Sequence, residues 1–245
     1  MIKGLYTTES GMRPKLVRLE IIANNLANIN TTGFKRDKAF SDALDDATVA
    51  RQTTGTEQPL THEYTDFSEG SLRPTNNPLD VAIQGKGFLV VETPNGVRYT
   101  RNGNLQLSLD GTLVNGSGYV VMGTNGKIQL PDVQRLQNGS LHISETGEVM
   151  VDKQSIGHLR VADFADYTAI HKDHESLFTV DAGTAVAEGP GSQTSIRQGY
   201  LEESNVDGIS EMISMIELNR AFEADQKSLR SQDATLERTN DVGRL

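Results

Sequence analysis

The sequence predicts an α+β protein, with N- and C-terminal helices that pair as a coiled coil and a central, antiparallel, hairpin-rich β domain. Apolar residues recur every seven positions near both ends of the chain, which is the period of a helical seam. Between residues 79 and 200, short β-favouring runs alternate with turn dipeptides, without helical crossovers between them. This pattern argues against a parallel sheet and a doubly wound nucleotide-binding fold.

Residues 1–36 are predicted to form the first part of a terminal helical domain. The seam consists of Leu5, Met12, Leu19 and Leu26, with Leu16 and Ala23 at the alternate heptad position. Pro14 interrupts it, because proline lacks the N–H that bonds four residues back and its ring crowds that carbonyl. We therefore expect the continuous helix to begin near Pro14, after a kink or a separate short turn.

Asparagines follow the N-terminal seam. Asn24, Asn25, Asn28 and Asn30 fall within seven residues, and asparagine is unfavourable inside a helix because its amide competes for the backbone. One interpretation is a frayed helix end capped by Gly33. The other is that these amides bond to another subunit, where a satisfied polar network fixes register.

Residues 37–76 are polar and weakly patterned, and are predicted to be an extended connector. Residues 77–199 are the predicted central β domain. Its turns are marked by Asn-Gly or Asp-Gly pairs, for which we expect two-residue hairpin turns with positive φ at both positions. The pairs lie at 95–96, 102–103, 110–111, 115–116, 125–126 and 138–139. Gly85-Lys86-Gly87 lacks the third glycine of a dinucleotide-binding fingerprint and is interpreted as a bend.

Residues 200–245 are predicted to complete the terminal helical domain, with a helix from about 209 to 238. Its heptad residues are Met215, Phe222, Leu229 and Leu236, and the stripe is widened at its start by Ile209, Met212, Ile213 and Ile216. Roughly 30 helical residues make a rod of about 45 Å, longer than a small domain is wide. The pattern alone leaves two possibilities: helices that cap the β core of a monomer, or helices that need a partner.

Composition limits the class of protein. The 245 residues suffice for one large domain or two smaller ones, and a net charge of −10 makes nucleic acid and anionic membranes poor partners. The absence of cysteine excludes disulfides and thiolate metal sites. No apolar run is long enough to span a membrane, and the start has no secretory signal pattern, so neither membrane insertion nor a cleaved signal peptide is predicted.

Candidate catalytic and metal-binding residues are few. His171 and His174 have a spacing that can serve a metal, but no third ligand cluster is near in sequence, which favours a solvated loop. Glu145 and Glu148 could form a glycosidase pair, yet such sites need sugar-stacking aromatic residues, and aromatic residues are only 5% of the chain. No catalytic residue, cofactor or metal site is therefore predicted.

Three motifs closely resemble the flagellar axial proteins, the rod and hook subunits of the bacterial basal body. They are NNLANINTTGFKR at 24–36, NPLDVAIQGKGFLVVETPNGVRYTRNGN at 77–104 and GYLEESNVDGISEMISMIELNRAFEADQK at 199–227. The resemblance implies a non-catalytic subunit that the flagellar type III apparatus exports uncleaved. It also implies polymerisation with copies of itself and other rod and hook subunits into the periplasmic rod, with paired terminal segments lining the tube.

Within that family, residues 126–164 resemble the proximal-rod F type more than the distal-rod G type, and the 37–64 connector lacks the longer insertion usual in the G type. Two other classes are kept as alternatives: a carbohydrate-binding or adhesive β module, and a periplasmic hydrolase that needs Glu145 or Glu148. The predicted assembly interface comprises Leu5, Met12, Leu16, Leu19, Asn24, Asn25, Leu26, Asn28, Met212, Met215, Phe222, Leu229 and Leu236.

Overall fold

The computed structural model describes residues 2–41, 61–130, 141–173, 176–181, 183–184, 186–188 and 194–242. The chain divides into two compact units. The helical unit comprises Met1–Ala27, Asp37–Asp66 and Val206–Leu245, and the β unit comprises Asn28–Arg36 and Phe67–Asn205. The predicted α+β class, with helices at both ends and a strand-rich centre, is confirmed.

Two long helices dominate the helical unit: α1 spans Ile2–Ala27 and α2 spans Gly208–Val242. They lie against each other, and Lys15 Nζ forms an ion pair with Asp225 Oδ2 at 2.5 Å. The predicted C-terminal helix is confirmed and continues one turn further. The expected start of the continuous helix near Pro14 is wrong, since α1 runs through that residue. The helix continues there without the single hydrogen bond that a proline cannot donate.

An aspartate cap begins α2. Asp207 Oδ1 accepts the N–H of Ile209 at 3.1 Å, and Asp207 Oδ2 accepts the hydroxyl of Ser210 at 2.6 Å. The first turn of a helix leaves backbone N–H groups without intrahelical partners, and a carboxylate here also suits the positive end of the helix dipole. The cap therefore fixes where the helix starts.

The helical unit also contains the two-stranded sheet of β1 (Arg36–Ser41) and β2 (Thr61–Asp66). Lys38 Nζ and Asp66 Oδ2 lie 2.6 Å apart, and Thr65 Oγ1 donates to Asp37 Oδ1 at 2.8 Å. Parts of the predicted connector are thus strands. Residues 42–60 of that connector lie outside the described residues.

Short antiparallel strands make up the β unit. They are β3 (Leu72–Pro74), β4 (Val81–Gln84), β5 (Phe88–Thr93), β6 (Gly96–Thr100), β7 (Leu105–Leu107), β8 (Leu113–Asn115), β9 (Val120–Gly123), β10 (Gly126–Lys127), β11 (Leu141–Ile143), β12 (Glu148–Val151), β13 (Gln154–His158), β14 (Val161–Phe164), β15 (Ile170–Lys172), β16 (Leu177–Val180), β17 (Val186–Glu188), β18 (Ser195–Gln198) and β19 (Tyr200–Glu202). The largest sheet has the order β15-β16-β6-β5-β9-β8-β7, with β14 also paired to β5, β17 to β14 and β10 to β9. Smaller sheets are β11-β12-β13, β18-β4 and β19-β3.

Strand β5 lies between two apolar clusters. Leu89 and Val91 belong to the larger cluster, whereas Phe88 and Val90 belong to a second one that is rich in aromatic rings. Successive strand residues point to opposite faces, so a strand buried on both sides needs an uninterrupted apolar run. The sequence Phe88-Leu89-Val90-Val91 meets this requirement and makes β5 the centre of the core.

The turn prediction is only partly right. Gly96, Gly111 and Gly126 have positive φ, but the residues that precede them do not. In two hairpins the glycine follows the two-residue loop, because Thr93 pairs with Gly96 and Gly123 with Gly126. Positive φ at two successive positions occurs instead at Asp152 and Lys153, between β12 and β13. The pair at 138–139 lies outside the described residues.

Candidate assembly site

The start of α2 carries an exposed apolar stripe, which we call the α2 stripe. It consists of Ile209, Met212, Ile213 and Ile216, whose side chains are between 48 and 68% exposed. Residues spaced by three and four positions share one face of a helix. An exposed apolar patch of this kind marks a contact surface more often than a free one.

The other predicted interface residues are partly covered within the helical unit. Side chains that are half-buried there are Met12, Leu19, Leu26, Met215, Phe222 and Leu229. Leu16 is exposed on α1. Leu5 and Leu236 lie on α1 and α2, and their side chains are outside the described residues. The two helices therefore leave apolar side chains available for contacts beyond those they make with each other.

Asn25 is buried and bonds to its own chain. Its Oδ1 accepts the N–H of Asp37 at 3.0 Å, and its Nδ2 donates to the Asp37 carbonyl at 2.8 Å. This corrects the expectation of an intersubunit bond for Asn25, because a buried amide needs partners and β1 supplies both. Asn28 Oδ1 accepts the Thr31 hydroxyl at 3.2 Å. An intersubunit role for Asn24 and Asn28 stays a prediction.

We expect Asn25→Asp to destabilise the helical unit by about 1–3 kcal/mol, because a carboxylate cannot donate to the buried Asp37 carbonyl. Thermal unfolding followed by far-ultraviolet circular dichroism measures the effect. Asn24→Asp is the matched control, since it adds the same charge at an exposed neighbouring position. Equal melting temperatures for the two variants would contradict the assigned role of Asn25.

Three buried charges meet in the β unit, and we call them the ion cluster: Lys35, Arg101 and Glu202, each at most 3% exposed. Lys35 Nζ lies 2.6 Å from Glu202 Oε1, and Arg101 Nη1 lies 3.3 Å from Glu202 Oε2. Each oxygen of the Glu202 carboxylate therefore faces one cation.

Hydrogen bonds satisfy most of the remaining polar atoms of the ion cluster. Lys35 Nζ donates to the Ser68 carbonyl at 2.6 Å, and the Gly70 N–H donates to Glu202 Oε1 at 3.1 Å. Arg101 Nη2 donates to the Gly85 carbonyl at 2.8 Å. Burial lowers the pKa of Lys35, and the adjacent Glu202 carboxylate opposes that shift. A buried ion pair is stable only when its geometry is good and its remaining polar atoms are bonded. These contacts meet the second condition except at Arg101 Nε, which is buried without a hydrogen-bond partner.

Residues 28–36 fold as part of the β unit. The Gly33 N–H donates to the Glu202 carbonyl at 2.8 Å, and Phe34 is buried beneath Lys172, whose Nζ lies 3.7 Å from the ring centroid. The interpretation of Gly33 as a helix cap is wrong, because α1 ends at Ala27. Gly33 has φ of 69°, and a Cβ there would lie 2.5 Å from the backbone carbon of Arg101. Close approach of two backbones explains this glycine.

The sequence did not reveal the ion cluster, although each of the three motifs contributes one of its residues. Lys35 lies in the motif at 24–36, Arg101 in that at 77–104 and Glu202 in that at 199–227. The available signal was that each of the three charged residues lies within three positions of a glycine and an aromatic residue. Nothing in their spacing indicates that the three side chains meet.

The candidate metal-binding histidines are not part of this cluster. His171 Nε2 is 3.2 Å from Asp181 Oδ1 at the surface, and His174 lies outside the described residues. Among the described residues, no group of three or more His, Asp or Glu side chains could hold a metal ion. Within that same part of the chain, no helix is long and apolar enough to cross a membrane.

Three family models match successive parts of the chain. They are the flagella basal body rod protein model at residues 5–35, the flagellar hook protein FlgE/F/G D1 domain at 82–151, and the flagellar basal body rod FlgEFG protein C-terminal model at 197–242. Each model includes one residue of the ion cluster. The α2 stripe lies in the C-terminal match.

Full-length relatives agree with these matches. The flagellar basal-body rod protein FlgG of Borreliella burgdorferi is 33% identical, and the alignment covers 100% of both chains. FlgG of Bacillus subtilis is 32% identical over 97% of each chain. The flagellar basal-body rod protein FlgF of Caulobacter vibrioides is 31% identical, over 94% of this chain and 93% of that one.

The fold and these relatives define a structural subunit of a bacterial axial assembly, not an enzyme. The chain belongs to the flagellar basal-body rod protein family, whose members form the periplasmic rod. The hydrolase and carbohydrate-binding alternatives find no support among the relatives. The preference for the F type is not supported either, because the relatives mostly carry the name FlgG.

Proposed function

We propose that this chain is a distal-rod, G-type subunit that polymerises through its terminal helices into a helical tube, and that the tube transmits torque across the periplasm. The observation that carries the polymerisation is the α2 stripe, an apolar face left exposed on a helix. The predominance of FlgG among the relatives supports the distal position.

We infer that α1 and α2 pair as a coiled coil. The contact between the helices and the Lys15–Asp225 ion pair support this pairing. The half-buried heptad residues, such as Leu19 and Phe222, supply its apolar seam. Exposed residues next to the seam then remain for contacts with neighbouring subunits.

Subunits polymerise into a helix only when their repeated contact does not close them into a ring. Two different surfaces of identical subunits, related by a rotation and a translation, generate an open helix. The α2 stripe is one such surface, and Leu16 marks another on α1. The proposed partners are copies of this chain and the rod or hook subunits at either end, after delivery by the flagellar type III export apparatus.

Ile213→Asp is expected to abolish polymerisation while the monomer stays folded. In the monomer the new carboxylate lies in water, whereas in the polymer it would be buried without an opposite charge or a hydrogen-bond donor. Sedimentation of the purified protein under polymerising conditions measures assembly. Asn219→Asp is the control, since residue 219 is exposed on the same helix and already polar. Normal polymers of Ile213→Asp would show that the stripe is not an assembly surface.

Electron microscopy of basal bodies tests the distal position. A strain that lacks this chain is expected to retain a short proximal rod. In the proposed role, the distal subunits add to a proximal rod that is already in place. Basal bodies without any rod, together with loss of the proximal subunits, would indicate a proximal role. Restoration of the full rod by the wild-type gene is the control.

A further inference from the structure

The chain passes between its two units at four points, which follow residues 27, 36, 66 and 205. On the β-unit side, these points lead into three segments: residues 28–36, 67–71 and 200–205. Every covalent connection that carries force into the β unit must therefore pass through one of these segments.

One network of bonds inside the β unit holds the three segments together. Glu202, in the last segment, bonds to Lys35 in the first and to the Gly70 N–H in the second. Asn205 repeats this arrangement: its Oδ1 accepts the Arg36 N–H at 2.7 Å, and its Nδ2 donates to the Ser68 carbonyl at 3.1 Å.

Arg101 attaches this network to the strands. It bonds to Glu202 and to the carbonyl groups of Ile83 and Gly85 at the end of β4. Its guanidinium carbon lies 5.1 Å from the centroid of the Phe88 ring, in the aromatic cluster. Arg101 thus links the network of Glu202 to β4 and to the aromatic cluster.

We propose that Lys35, Arg101, Glu202 and Asn205 form an exit clamp, which fixes the points where the chain leaves the β unit, and that Glu202 is its central positioning residue. Charged residues suit this place because an ion pair with fixed hydrogen bonds holds its members in a defined relative position. A buried ion pair adds little net stability over apolar packing, but it tolerates only a narrow geometry. The function assigned to the clamp rests on the proposed rod function, because load reaches the β unit through the polymerised helices.

Hydrogen exchange of the full-length monomer tests the clamp itself. In Glu202→Gln we expect amides of residues 28–36, 67–71 and 200–205 to exchange roughly 100-fold faster, because two buried cations lose their anion. Exchange in β5 and β12 is expected to stay as in the wild type. Equal acceleration in those strands, or no acceleration anywhere, would overturn the proposal.

Two further variants make this result specific. Glu203→Gln is the matched control. The adjacent Glu203 also joins the second and third segments, through Ser71, but it does so at the surface, where a glutamine oxygen can still accept the Ser71 hydroxyl and no buried charge is left unpaired. This variant should leave exchange in the three segments unchanged. Asn205→Ala is the second test, for use if Glu202→Gln fails to fold. It removes the side-chain bonds of Asn205 without leaving a buried charge, and is expected to speed exchange in the same three segments. An unchanged exchange pattern in Asn205→Ala would then count against the clamp.

Swimming assays test the mechanical role. In a strain that lacks the chromosomal gene, Glu202→Gln is expected to assemble rods but to lose speed in viscous medium relative to Glu203→Gln. Wild-type speed of Glu202→Gln at every viscosity would overturn this mechanical role. Failure of the wild-type gene to restore rods would instead refute the proposed function. The hydrogen-exchange test of the clamp does not depend on that outcome.

Discussion

Phe222→Asp is expected to abolish rod assembly and motility without changing the stability of the β unit. Phe222 is a half-buried heptad residue of α2. Losing a fully buried aromatic side chain costs about 3–5 kcal/mol, which is the upper limit for this position. The substitution also places a carboxylate in the apolar seam. The loss recurs in every subunit of a polymer, so even a partial loss of pairing is sufficient to prevent assembly.

Motility of a complemented strain and electron microscopy of its basal bodies measure this effect, and thermal unfolding of the β-sheet signal checks the β unit. Ala224→Asp is the control, because it places the same charge at an exposed position two residues away. A motile Phe222→Asp strain with intact rods would refute pairing through this seam.

Gly103→Ala is expected to destabilise the β unit by more than about 3 kcal/mol, the upper end of ordinary overpacking. A Cβ on residue 103 would lie 1.7 Å from the carbonyl oxygen of Val81. The Val81 N–H donates to the Gly103 carbonyl at 3.0 Å, and Val81 is fully buried. Since the obstructing atom belongs to the backbone of β4, no side-chain rotation can relieve the clash.

Urea denaturation of the full chain measures this loss. Gly157→Ala is the matched control, because the nearest atom to a Cβ there is Ile128 Cγ1 at 3.8 Å, an ordinary contact. A denaturation midpoint for Gly103→Ala equal to that of Gly157→Ala would contradict the close approach seen in the structure.

The helices could be predicted because their signals are local. The heptads that end at Leu26 and begin at Met215 lie within the elements they specify. The break expected at Pro14 failed because a proline removes only one bond from a long helix. Packing of α1 against α2 compensates for that loss, because most helical stability in proteins comes from tertiary packing.

The turns were predictable in position but not in conformation. An Asn-Gly pair indicates that the chain reverses, but not which residue takes positive φ. Gly103 shows the difference, because a neighbouring strand, not a hairpin turn, requires that glycine. The partner of Asn25 was not predictable either, since the amide is equally able to bond to its own chain or to another.

The ion cluster lay beyond sequence reasoning for a different reason. Lys35 and Glu202 are separated by 167 positions, and each charge has an ordinary local context. Only the fold of the β unit brings them together. The same holds for the exit clamp, which depends on three segments that meet through tertiary contacts.

Amide hydrogen exchange, compared between the purified monomer and the assembled rod, tests the central claim most directly, because local protection reports where structure persists without partners. The account predicts that α1 and α2 exchange much faster in the monomer than in the rod, while β5 and β12 are protected in both. Terminal helices as strongly protected in the monomer as those strands would contradict it, since the helices would then belong to a self-contained monomer.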